Sequence, residues 1–309
     1  MKDINNKFKF DKINDICFKD GEINGEINSV KISNDKIFVA IGNSIIIYDK
    51  YNFTKLQDLK NQHEESIYDI LIEKDNFITS TFQKIYFYEF NKEKKVFYQK
   101  YNKKCHSRLI NKLALLSNGN LITCGLDEKK IKIWEKNDKN EYQCLTILNH
   151  FDWIQSFLVL EKDNLFISVG EKKTKFWNLN NFQLIKEFDN IGCISNNSVE
   201  KINNKEIIIG GVYNYKMNII SIKDKIKRKK EINNKFICLC ISAFIDKQIF
   251  LVGGHNFNIN VYQNYDNYKL INSINAHSDY ISGITKLNDN LFISYSFDKF
   301  IRFWKISIK

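Results

Sequence analysis

Residues 276–304, AHSDYISGITKLNDNLFISYSFDKFIRFW, set out the unit from which the chain is built. A His and a short polar corner lead into an apolar run. A turn at Asn288-Asp289-Asn290 gives a second run that ends in Ser-Phe-Asp, and a third run closes on Trp304. Short runs rich in β-branched and aromatic residues, bounded by Asn, Asp and Gly, predict strands. Degenerate copies begin near Ile23, His63, His106, His150, Asn190, Lys235 and His277, so consecutive starts lie 40 to 45 residues apart. Seven copies fill the chain, and a period of this length fits four strands per copy.

The order of His, apolar strand, Ser-Phe-Asp, apolar strand and Trp resembles the WD-repeat β-propeller family. The resemblance implies an all-β, seven-bladed β-propeller of four-stranded antiparallel blades, a single domain over residues 1–309. In that family the His donates to an Asp between the second and third strands, and a Ser or Thr and the Trp complete a structural network. Blade seven matches throughout, with His277, Ser296, Asp298 and Trp304. Blade three offers Asp127 in a longer turn. Blade four has Val169 and Glu171 at the hydroxyl and acid positions, and blade two has Thr81, Gln83 and Tyr88. Blades one, five and six lack the His and end their third strands in Tyr48, Ile220 and Tyr262, which leaves them to packing.

After Trp304 only Lys305–Lys309 remain, too short for an outer strand and a turn. Residues 1–22 carry strand-like segments at Lys7–Phe10 and Ile13–Phe18. A strand from this region is expected to complete blade seven and so remove an open sheet edge.

Composition adds to this picture in three places. The chain is 43% hydrophobic and 14% aromatic, enough for a large core, and no Gly/Ser-rich linker divides it. It has no Pro, so turns fall to Asn, Asp and Gly, as in Ser117-Asn118-Gly119-Asn120. Seven cysteines, an odd number scattered over five or more repeats, read as free thiols in a reducing compartment. The N-terminus lacks the apolar core of a signal peptide, and no apolar run is long enough for a membrane span. Cytosol or nucleus is the expected location.

Four of the five histidines (His63, His106, His150 and His277) share one repeat position, so they sit on different blades and cannot converge on one metal ion. His255 follows Gly253-Gly254 and reads as a turn residue. The chain has no Gly-rich phosphate loop and no Gly-x-Ser-x-Gly turn. Paired acids such as Glu64-Glu65 fall in turns. A protein with no catalytic residues, metal or cofactor is expected.

What remains is surface. Trp153 and Tyr280 hold matching places in the loops entering the first strands of blades four and seven. Phe297, Leu126 and Phe82 hold matching places just before the acid of the next turn. Apolar residues recurring at such turns point to a protein partner, with Trp153 the leading anchor. The bland alternative has them fold back onto neighbouring loops. The net charge of +11 raises a second class of partner, nucleic acid or acidic lipid. Its candidates are Lys223, Lys225, Lys227, Arg228, Lys229 and Lys230, placed in the loop between strands three and four of blade five. Lys92, Lys94 and Lys95 occupy the same loop of blade two. A solvated Lys-rich loop is the simpler reading of both runs. No Trp-Asp-x-Arg follows a third strand, so the role of ubiquitin-ligase substrate receptor has no motif behind it. The expected function is a non-catalytic scaffold or adaptor within a larger assembly.

Overall fold

The computed structural model describes residues 8–18, 25–195, 197–211 and 215–308. Within them the chain forms seven four-stranded antiparallel sheets, each in simple up-and-down order apart from one borrowed strand. This is the seven-bladed β-propeller class. Helix is confined to single turns such as Glu161–Asp163, and among the described residues none is long and apolar enough to cross a membrane.

Burial follows position in the blade. Middle strands have sheets against both faces, so they read as unbroken apolar runs: Lys36–Ile41 is buried at five of six residues. Outer strands bury one face only and alternate, as in Val96–Lys104, VFYQKYNKK.

The chain divides into two compact units, Ile23–Phe188 and Met1–Glu22 with Asp189–Lys309. In the first, blades one (27–59), two (69–104), three (110–149) and four (from 154) pack face to face. Phe38, Phe77 and Phe97 interlock at centroid distances of 5.2 to 5.5 Å between blades one and two. Asp69 ties three of the blades together. Its buried carboxylate accepts from Ser29 Oγ (3.0 Å) and the Leu113 amide (3.1 Å) and pairs with Lys31 (3.1 Å). Asp69→Ala should therefore lower stability by roughly 2–3 kcal/mol, because it strands donors in blades one and three. Urea denaturation tests this, and a midpoint matching the parent would show that water replaces the carboxylate.

The second unit holds blades five (199–233), six (238–275) and seven (281–308). Blade seven takes its outer strand from the other end of the chain. Phe8–Cys17 runs antiparallel to Phe300–Ile308, from Phe8 opposite Ile308 to Cys17 opposite Phe300. The expected pair of segments is thus one strand. The register shifts between Lys12 and Asn14, and the extra residue, Ile13, is 48% exposed. Phe8 enters a core with Trp304, Ile306, Leu251 and Cys240. Lys7, residues 19–22 and the expected start of blade one at Ile23 lie outside the described residues.

Candidate functional site

A buried polar relay organises blade seven. The Trp304 indole N–H donates to Ser294 Oγ (2.8 Å), Ser294 Oγ lies 2.7 Å from His277 Nε2, and His277 Nδ1 lies 2.9 Å from Asp298. An indole can only donate, which leaves the Ser294 hydroxyl proton for Nε2 and sends the Nδ1 proton to the carboxylate. The hydroxyl is therefore Ser294 and not the expected Ser296. The two share a strand face, but Ser296 is one step nearer the turn. There it donates to the Asp279 carbonyl and accepts the Asp298 amide, both at 3.1 Å. Burial keeps His277 below its ordinary pKa against the pull of Asp298. Burial also pushes the Asp298 carboxyl up, but bonds from His277, the Ser278 amide and Arg302 outweigh it and hold the group well below the carboxylate range. Arg302 gave no signal in the sequence, since a basic residue on a third strand reads as solvent-facing. It donates to Asp298 (2.7 Å) and to the Ala276 carbonyl (2.8 Å).

Three other blades show the same relay in altered form. Blade three links Trp134 to Thr123 (2.9 Å), Thr123 to His106 (2.7 Å) and His106 Nδ1 to Glu128 (2.6 Å). The acid is Glu128, while the expected Asp127 is exposed. In blade two Thr79 takes the hydroxyl position at 2.9 Å from His63, in place of Thr81, and the Tyr88 hydroxyl stands where a Trp would. In blade four Ser168 receives the Trp177 N–H (2.8 Å), in place of Val169. His150 Nδ1 has no hydrogen-bond partner among the described residues. The turn acid is supplied instead by Asp152, which accepts the amides of Lys172 (2.7 Å) and Lys173 (2.9 Å). Blade six does not rest on packing alone, because the Tyr262 hydroxyl donates to buried Asn234 at 2.7 Å.

These relays fix the loops that carry the surface candidates. In the first unit the Glu171 amide donates to the Trp153 carbonyl (3.0 Å) and the Ile154 amide to the Leu126 carbonyl (3.4 Å), so Trp153 and Leu126 are brought together. Trp153 is 47% exposed, and its neighbour Phe151 is 74% exposed at a φ of 67°. That backbone region costs a bulky residue roughly 1–2 kcal/mol. Asp152 between them is anchored inward on the next turn, which stiffens the loop. Leu126 and Phe82 are half-buried, and the Phe82 amide is tied to Glu65 (3.2 Å).

In the second unit the bland alternative prevails. Tyr280 stacks on His255 at 3.9 Å and 12°, lies 5.7 Å from Phe257 and meets Phe297 at 6.1 Å. Tyr280 and Phe297 thus fold onto neighbouring loops, and His255 is a packing residue there.

The basic run of blade five is not a loop. Lys227–Asn233 forms the outer strand, so only Lys223 and Lys225 remain in the turn before it. Arg228 pairs with Glu231 and Lys229 with Glu206, while Lys230 bonds Asn267. The register shifts at Lys229, the extra residue between Arg228 and Lys230, so Lys229 and Lys230 both reach toward Tyr268. Lys92, Lys94 and Lys95 sit in the turn before Val96–Lys104, as expected.

The family model for "WD domain, G-beta repeat" matches residues 97–135 and 268–305. Two segments of the chain carry the WD-repeat pattern. The two matched segments end in blades three and seven, where His, hydroxyl, Trp and acid are all joined. Blades two and four keep the His but lose the Trp or the acid contact, and neither is matched as a full repeat. No curated protein matches the chain. Among the described residues no group of three His, Cys, Asp or Glu side chains could hold a metal ion.

Proposed function

We propose that this WD-repeat protein is a non-catalytic interaction platform, a subunit of a larger assembly, that engages a protein partner through the loops of blades three and four. WD-repeat propellers are generally protein-interaction scaffolds and typically non-catalytic, which supports the class. The observation that carries the site is the exposed pair Phe151 and Trp153 on a loop pinned by Asp152, with Leu126 beside it. Large rings held rigidly in water lose little freedom on binding, and aromatic anchors dominate interface energetics. All seven cysteines are unbridged, in keeping with a reducing compartment.

Trp153→Ala should weaken binding of the partner that co-purifies with the native protein by roughly 30-fold or more. Its melting temperature should stay at the parent value. Surface plasmon resonance at two salt concentrations measures this. Retained affinity, or a steep loss of parent binding with salt, would move the interface away from Trp153.

A further inference from the structure

Between blades five and six of the second unit lies an open cleft of about 740 Å³, which the platform reading leaves unused. Its walls are the Asn204-Lys205 turn, Lys229 and Lys230 of the outer strand, and the loop 264–268. We propose that this cleft binds a phosphate monoester.

Two ammonium groups converge on one ring. Lys229 Nζ lies 5.6 Å and Lys230 Nζ 6.0 Å from the centroid of Tyr268. Their charges are compensated differently. Lys229 is paired with Glu206, while among the described residues Lys230 bonds neutral oxygens, the Asn267 carbonyl (3.1 Å) and its side-chain amide (3.0 Å). Lys230 therefore has no carboxylate partner among the described residues, and Lys205 sits on the facing turn. The carboxylates are already committed. Glu206, 8% exposed, accepts from Lys229, Asn203 (2.8 Å) and the Tyr268 hydroxyl (2.7 Å). Asp266, on the cleft wall, pairs with Lys269 at 3.8 Å. Glu206 lies deeper than Lys229, whose side chain is 51% exposed, so the lysine stands between the carboxylate and solvent.

The wall of the cleft is strained. Asp266, Asn267 and Tyr268 all have left-handed φ values, of 39°, 69° and 53°. Three such residues in succession hold only where the surroundings impose them, and such strain clusters at binding sites. Gln263 fixes the Asp266 carbonyl (2.8 Å) and Lys230 the Asn267 carbonyl, so the cationic side chain is itself part of the brace. Burial pushes the Glu206 carboxyl up, but its three donors outweigh this and keep it ionised.

The chemistry selects the ligand. A monoester phosphate is near-dianionic at neutral pH and offers three strong acceptors, so it suits a cleft where Lys230 and Lys205 carry the uncompensated charge and Lys229 is shared with Glu206, better than a diester with one charge. Tyr265, 36% exposed at the rim, gives an apolar flank for the esterified group. The monoester comes either from a small soluble molecule or from a lipid headgroup.

Calorimetry with glycerol 3-phosphate, and sedimentation with phosphatidylcholine vesicles with and without phosphatidic acid, separate these sources. The wild-type chain should bind at least one probe. Lys230→Gln should lower that affinity about 10-fold at a near-parent melting temperature, since the Gln amide can still donate to Asn267. Lys94→Gln with Lys95→Gln should leave it intact, and so should Trp153→Ala, which keeps this test apart from the platform. Binding of glycerol 3-phosphate alone assigns a soluble ligand, and binding of the acidic vesicles alone assigns a headgroup. No binding to either probe overturns the proposal. So does equal loss in the Lys94/Lys95 variant, which would mean unspecific charge, or equal affinity for a single-stranded oligonucleotide lost on Lys230→Gln.

Discussion

Deleting residues 1–20 should lower the melting temperature by about 10 °C or more, as much as truncating a core side chain in another blade. The deletion removes Phe8–Cys17 and with it a ladder of nine residue pairs against Phe300–Ile308. The Phe18 amide also loses the Lys299 carbonyl at 3.1 Å. Each net hydrogen bond contributes roughly 1 kcal/mol, and the buried Phe8 ring adds about 2 kcal/mol. Even half of that ladder gives on the order of 5 kcal/mol, comparable to the 3–5 kcal/mol expected for Phe166→Ala in the core of blade four. For a domain of this size 1 kcal/mol corresponds to about 2–4 °C. Phe300–Ile308 would also become an exposed edge and favour association. Calorimetry on the two variants makes the comparison, and a truncated chain that melts with the parent would show that the borrowed strand contributes nothing.

The second large effect is loss of stability in mild acid. Burial holds His63, His106 and His150 at pKa values of about 4, against 6.5 when unfolded. A depressed histidine favours the folded chain fully above pH 6.5. Between 6.5 and 4 the unfolded chain takes up protons that the folded one refuses, so stability falls with pH across that window. At 1.36 kcal/mol per unit, each histidine contributes up to about 3 kcal/mol. Unfolding free energies from urea titrations at pH 7.5 and 4.5 should therefore differ by several kcal/mol over the three groups. His150→Gln should flatten part of the slope, since its Nδ1 has no partner to lose. A midpoint that does not move with pH would mean that these rings are solvated or already charged.

The fold was legible because its signal is a period. Six of the seven copies carry a His, Tyr or Trp at the repeat's fixed places, and the spacing survives the loss of any one residue. The relay was harder to read because it depends on depth along a strand. Ser294 and Ser296 share a face, and apolar patterning gives them equal weight. In blade three a usable signal was present: Glu128 lies six residues before Trp134, as Asp298 does before Trp304. Asp127, one residue further from Trp134, was expected instead. The contacts of Asp69, Arg302 and His255 join segments far apart in sequence, where no local pattern reaches. The run at Lys227–Lys230 reads as a loop by charge alone. It forms a strand because Glu206, Glu231 and Asn267 receive its side chains.

The borrowed strand also sets an order of events during synthesis. Phe8–Cys17 leaves the ribosome early, while its partner Phe300–Ile308 follows nearly three hundred residues later. At 5–20 residues per second that is a wait of roughly 15–60 s. A naked β segment would be a hazard over such a time. Lys9, Asp11, Lys12 and Asp15 make this one a well-hydrated waiting partner, and later they sit as the salt bridges Lys9–Asp11 (2.9 Å) and Lys12–Asp15 (2.8 Å) on the finished blade. The charges that weaken the strand's hydrophobic signature are what keep it available.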